Sequence, residues 1–316
     1  MKRKDSPKET TMTKKIVVPV LLILMFCFQA RSEKEFPPLH GPFLGQKPPG
    51  MTPSLFAPGI ICSDENEGSS GFALGGQVFI FQKFIDRKSQ TFIMRRIDGN
   101  WTAPQLIPFW ETMVHNGDFV FSSDDKTMLY QVKSETEYGL VSNIWKAEVT
   151  ENGWGKRSPL PSPVNTRFDE SFASEAANKN LYFFSRRPGG KGQSDLYMCS
   201  WKNGVYSEPV NLKSLNTKHH EWDPFIAPDE SWLIFCSTKP EGMGGDDLYI
   251  SFKGKNGEWT PPLHMGEEIN SPRSENRPFV TADGRYFFYT SSRNGNRDIF
   301  WVSTEILDRF RMEQPD

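Results

Sequence analysis

Cysteine is scarce in this chain, with four residues in 316. Cys27 falls in a leader-like segment, which leaves Cys62, Cys199 and Cys236 for the folded part. Three thiols are too few for a disulfide framework, so they read as small apolar core residues. An excess of either charge is lacking too: 37 basic residues face 39 acidic ones, for a net charge of −2. That balance provides no basic footprint for nucleic acid. The five histidines do not suggest a three-histidine metal centre. Sustained helical periodicity is missing after residue 30, except over residues 303–312. The Gly-x-Ser-x-Gly elbow of serine hydrolases is absent, and so are the Ser-x-Asp-x-Gly-x-x-Trp boxes of sialidases. Asn100-Trp-Thr102 fits a glycosylation sequon, but its place in a repeated turn explains it better.

The most apolar stretch, residues 16–28, is 13 residues long. A spanning helix needs about 20. Lys2, Arg3, Lys4, Lys8, Lys14 and Lys15 precede it, so residues 1–30 read as a secretory signal peptide. The expected mature start is near Arg31, after Ala30. A retained anchor, or lipidation at Cys27, is the alternative, and only then would a membrane be a partner. The protein is therefore expected in the periplasm or at the cell surface. Residues 31–52, with Pro37-Pro38 and Pro48-Pro49-Gly50, form an extended arm. Residues 305–316 form a C-terminal tail, and one helix over residues 303–311 is expected to close over a face.

Aromatics are plentiful, 25 Phe, 9 Trp and 8 Tyr, and they recur in a register. Trp101-x-x-Pro104-x-x-Ile107, Tyr206-x-x-Pro209-x-x-Leu212 and Trp259-x-x-Pro262-x-x-Met265 share one pattern. Trp154-x-x-Arg157-x-x-Leu160 keeps its ends and loses the proline. The leading aromatics are spaced 53, 52 and 53 residues apart. A hairpin turn precedes each one: Asp98-Gly99, Asn152-Gly153, Asn203-Gly204 and Asn256-Gly257. Short strands lie upstream, as in Asp246-Asp-Leu-Tyr249 and Arg297-Asp-Ile-Phe300. Earlier still, an apolar strand, an Asp turn and an aromatic strand recur, as in Pro278-Phe-Val-Thr-Ala-Asp283-Gly284 followed by Tyr286-Phe-Phe-Tyr289.

A repeat of about 50 residues and four strands is a propeller blade. The expected fold is all-β: one five-bladed β-propeller over residues 53–304. The fifth repeat lacks an outer strand, and Leu55-Phe-Ala-Pro58-Gly-Ile-Ile61 has the missing pattern. That segment is expected to pair antiparallel with the strand holding Phe300 and to close the ring. Six blades, the alternative, would need another inner strand, and none is visible.

The Pro-Phe-x-x-x-Asp-Gly turn, Thr290-Ser-Ser-Arg293, Arg297-Asp-Ile-Phe, Asp246-Asp-Leu-Tyr-Ile, Asn256-Gly-x-Trp259 and Gly266-x-x-Ile269-Asn270-Ser271-Pro272 resemble the TolB-like β-propeller repeat, a WD-repeat-like family. The resemblance covers residues 48–304, although Gly75 stands where the turn Asp is expected and Asn143 where the strand Asp is. It implies an exported bacterial protein. By analogy with the family's best-known relative, it also implies binding to partner proteins of the cell envelope.

Polar residues at the starts of the inner strands, most of them acids, form the candidate site at the mouth of the central channel: Glu67, His115, Asp118, Glu170, Glu221, Asp223, Glu275 and Arg277. Converging carboxylates suit a glycan, or a cation with oxygen ligands such as calcium; no other cofactor is expected. They also suit an acid/base pair for glycoside hydrolysis. A non-enzymatic binding module for envelope protein or glycan is the leading expectation, with a carbohydrate-active enzyme as its rival. Asp124, Asp229 and Asp283 recur at one turn position and read as turn caps. Asp195, Asp247 and Asp298 likewise read as structural starts of third strands. His219-His220-Glu221-Trp222-Asp223 reads as a loop rather than a metal site.

Overall fold

The protein's structure, a computed structural model, describes Met1 and residues 36–86, 88–107, 115–151 and 153–312. The chain divides into Met1–Pro37 and Pro38–Asp316, and everything that follows concerns the second unit. Its described residues form five four-stranded antiparallel blades. The inner strands are Asn66–Ala73, His115–Phe121, Glu170–Glu175, Glu221–Ile226 and Glu275–Val280. Each packs against the inner strand of the next blade, and the last returns to the first, so the five close a ring.

Both faces of a blade are covered by its neighbours, so the middle strands read as nearly unbroken apolar runs rather than alternating ones. In the last blade Phe287, Phe288 and Tyr289 are all buried, as are Ile299, Phe300, Trp301 and Val302. Apolar clusters fill each gap between blades. Ile80, Phe119 and Tyr130 lie between blades 1 and 2. Leu129, Ile144 and Phe183 fill the next gap, and Leu196, Ile226 and Phe235 the one after. Between blades 4 and 5, Ile250, Phe287 and Val302 meet Ile306, Leu307 and Phe310 of the C-terminal helix, Glu305–Met312.

The ring closes as the repeat spacing predicts. Ser54 and Leu55 pair antiparallel with Trp301 and Phe300, and Phe56 N–H bonds Ile299 O at 2.9 Å. Phe56 then fills the gap between blades 5 and 1, its ring within 5.2 Å of those of Phe79, Phe288 and Trp301. The arm packs on the first blade: Trp101 Nε1 donates to Gly41 O at 2.7 Å, and Phe43 and Leu44 are buried.

One part of the repeat works differently from its linear reading. In blades 1, 3 and 4 the leading aromatic does not start the outer strand, and in blade 4 Trp259 bridges back to Lys253. Trp101 folds back on Arg96, and Tyr206 on Trp201, in small hairpins turned by Asp98-Gly99 and Asn203-Gly204, all four at positive φ. The outer strand proper follows the proline, at Gln105–Leu106 and Val210–Asn211. Proline lacks the N–H a ladder needs, so it separates hairpin from outer strand. Blade 2 has Arg157 there instead, and its outer strand runs unbroken in sequence over Gly153–Pro159, with one bulge.

Candidate functional site

Four of the expected site residues prove to be a repeated internal clamp. Glu67, Glu170, Glu221 and Glu275 are fully buried and so do not stand free at a channel rim. In blade 4, Thr217 N–H and Thr217 Oγ1 donate to the two Glu221 oxygens at 2.9 and 2.6 Å, and Ser237 Oγ adds a third bond at 3.0 Å. Blade 5 repeats this with Ser271 and Ser291 around Glu275. Blade 3 does so with Thr166 and Ser185 around Glu170, adding Arg187 at 3.2 Å. In blade 1, Ser63 Oγ donates to Glu67 Oε1 and Lys83 sits 3.4 Å away. Burial pushes Glu170 and Glu275 above the usual carboxylate range, although these hydrogen bonds oppose it. The signal was in the sequence: a Ser or Thr stands four residues before each glutamate. Each clamp ties the loop entering a blade to that blade's first two strands.

Asp118, Asp223 and Arg277 do come together. All five inner strands carry a bulge near their start. At two of these bulges Asp223 and Arg277 adopt φ of 50° and 55°, a conformation unfavourable for side chains of their size. The bulge of blade 5 turns Arg277 across the channel towards blade 2. There its Nε meets Asp118 Oδ1 at 2.6 Å and its Nη2 meets Oδ2 at 3.4 Å. Ser69 of blade 1 also donates to Asp118, at 3.1 Å. Arg277 N–H donates to Asp223 Oδ2 at 3.2 Å. Burial raises the Asp223 carboxyl to about 7, helped by the Asp118 charge and opposed by Arg277. For Arg277, burial works against the charge, but Asp118 and Asp223 outweigh it and hold the guanidinium protonated. Three blades are thus linked across the channel by one ion-pair group. His115 is placed by its backbone, paired with Lys133; its side chain lies outside the described residues.

The other readings can be placed as well. Asp229 Oδ1 accepts Ser231 N–H, and Asp283 Oδ1 accepts Arg285 N–H, as turn caps do; Asp124 caps Lys126 in the same way. Around Glu221 the polar cluster disperses. His220 stacks on Trp222 at 5.1 Å and meets Ser194 Oγ through Nδ1 at 3.2 Å. Cys62, Cys199 and Cys236 are free and buried.

At the opposite ends of the inner strands lies a cavity of about 490 Å³ that the sequence reading missed. All five blades line it. Phe72, Phe121, Phe225, Trp232 and Phe279 provide aromatic surface, and Ser70, Ser122, Thr281 and Glu175 provide polar groups. The C-terminal helix borders it through Leu307, Asp308 and Arg311. Gly71 makes room for one wall, since a Cβ there would sit 2.7 Å from the Phe121 ring. These phenylalanines are visible in the sequence as repeat positions. Only ring closure makes their strand ends face one space.

No protein-family model matches the chain, and no curated protein matches it. Solved structures do. A glycoside hydrolase is 12% identical over 82% of this chain and 92% of its own, with a TM-score of 0.51. An endo-arabinase from Bacteroides thetaiotaomicron is 12% identical over 81% and 97%, with a TM-score of 0.50. TolB from Acinetobacter baumannii is 15% identical over 78% of this chain, with a TM-score of 0.48. The chain spans about half of that TolB, 54% of its length. At such identities the likeness is one of fold. It agrees with the architecture described above: the chain is a β-propeller with five four-stranded blades.

Proposed function

We propose that the protein is an exported, non-enzymatic binding module whose ligand, an envelope protein or a glycan, enters the central cavity. One contrast carries this reading. The aromatic cavity is open to a ligand, whereas the acids near the other end of the ring are already engaged. Hydrolysis of a glycoside needs two carboxyls free to flank the scissile bond. Here Asp118 is held by Arg277, Asp223 accepts Arg277 N–H, and Glu170, Glu221 and Glu275 are clamped at both oxygens. The same engagement removes the reason to expect calcium at the channel mouth. Aromatic faces beside hydroxyls suit the apolar faces and polar edges of sugars, and equally a peptide loop. Export rests on the basic head and the 13-residue apolar run.

The test is a binding screen with two arms, envelope oligosaccharides and envelope extract, using wild type and Trp232→Ala. Trp232 is half-buried and stacks on Phe225 at 6.1 Å. The variant is expected to lose at least about tenfold in affinity, the ~1.4 kcal/mol typical of one aromatic contact. Unchanged binding would remove the cavity from the proposal. Turnover of a glycoside that is lost in Asp223→Asn would establish the enzyme reading instead. N-terminal sequencing of the mature protein should begin near Arg31.

A further inference from the structure

Among the described residues, Cys62, Glu67 and Asp298 each offer one ligand atom within 4.8 Å of the others. They come from three different parts of the ring. Cys62 follows the closing segment, Glu67 begins the inner strand of the first blade, and Asp298 begins the third strand of the last. All three are more than nine-tenths buried. Glu67 Oε1 is occupied by Ser63 and Lys83, while its buried Oε2 has no hydrogen-bond partner. The matching acids of other blades accept N–H bonds from their own loops, although Asp247 Oδ1 also lacks a hydrogen-bond partner. Asp195 accepts N–H bonds from Lys191 and Gly192, and Asp247 from Met243 and Gly244. Asp298 instead meets Cys62, Glu67 and the Asn294 side chain.

We propose that Cys62, Glu67 and Asp298 form a binding site for one divalent transition metal ion of the zinc class, which pins the first blade to the last. The donor set, one sulfur and two carboxylate oxygens, suits zinc or cobalt better than calcium or magnesium, which take oxygen alone. Charge supports the same choice. A thiolate and two carboxylates beside the Lys83 ammonium leave a net −2, which one divalent cation neutralises. Cys62 Sγ already lies against Ile299, accepting its N–H at 3.3 Å, so the ligand is held in place before metal arrives.

The experiment is titration of the chelator-treated full chain with zinc and with cobalt, followed by elemental analysis, absorbance and thermal melting. One equivalent of metal, a thiolate-to-cobalt charge-transfer band, and a melting temperature several degrees higher with zinc are expected. Cys62→Ser should abolish the band, and Asp298→Asn should weaken binding at least tenfold. If both variants fail to fold, the wild-type cobalt spectrum and zinc-dependent melting still decide. Absence of stoichiometric binding, or a charge-transfer band that survives in Cys62→Ser, would overturn the proposal.

Discussion

At the scale of single residues, the informative group is Arg277 with Asp118 and Asp223. Removing one partner of a buried pair leaves the other charge uncompensated, at about 3–5 kcal/mol. Asp118 keeps 22% side-chain exposure, so Arg277→Met is expected at the lower end, about 3 kcal/mol. Adding Asp118→Asn should restore part of that loss, because the two side chains share one interaction. Urea unfolding of the single and double variants measures this, and strict additivity would show that the pair contributes nothing. Asp223 predicts a pH effect of definite sign. Its folded value near 7 exceeds an unfolded value of about 3.9, so the native state favours the proton. The stability this gives is complete below about pH 4 and is lost as pH rises towards 7. Asp223→Asn should therefore gain on wild type steadily over that window in thermal melts. A constant difference would mean Asp223 ionises normally.

At the scale of elements, the glutamate clamp governs how each blade is entered. Glu221→Ala would strip the acceptor from Thr217 N–H, Thr217 Oγ1 and Ser237 Oγ together. Each buried donor left unsatisfied costs about 1–3 kcal/mol. We expect a melting temperature lower by many degrees, with affinity at the cavity unchanged in protein that remains folded. Weakened binding with an unchanged melt would return Glu221 to the ligand site. The hairpins show how much was legible at this scale. Asp98-Gly99 and Asn203-Gly204 announced tight turns from residue type alone. That Pro104 and Pro209 part hairpin from outer strand needed the ladder pairing, since a proline's effect depends on which N–H the neighbouring strand requires.

At the scale of the molecule, closure is the cooperative event. Phe56 is fully buried between Phe72, Phe79, Phe288 and Trp301, which belong to the first and last blades. Phe56→Ala is expected to cost about 3–5 kcal/mol, read as a lower urea midpoint for the whole domain. A separate early transition, with the rest of the melt unmoved, would show that the closing segment docks independently.

The sequence by itself determined the blade. Its repeat length, turns, prolines and aromatic strands are local features, each acting within a few residues of itself. It also determined the closing strand, because Leu55 and Ile61 carry an outer-strand pattern that the fifth repeat lacks. What only the tertiary structure decided is what each polar residue faces. Glu221 and Asp223 stand two residues apart at one strand start. The bulge beside them sends the first into its own loop and leaves the second against Arg277 of the next blade. Likewise Asp118 and Arg277 are 159 residues apart, and only a ring of five blades with this radius brings them across the channel. Contacts of that range depend on how every blade packs on the next, and no window of sequence contains them.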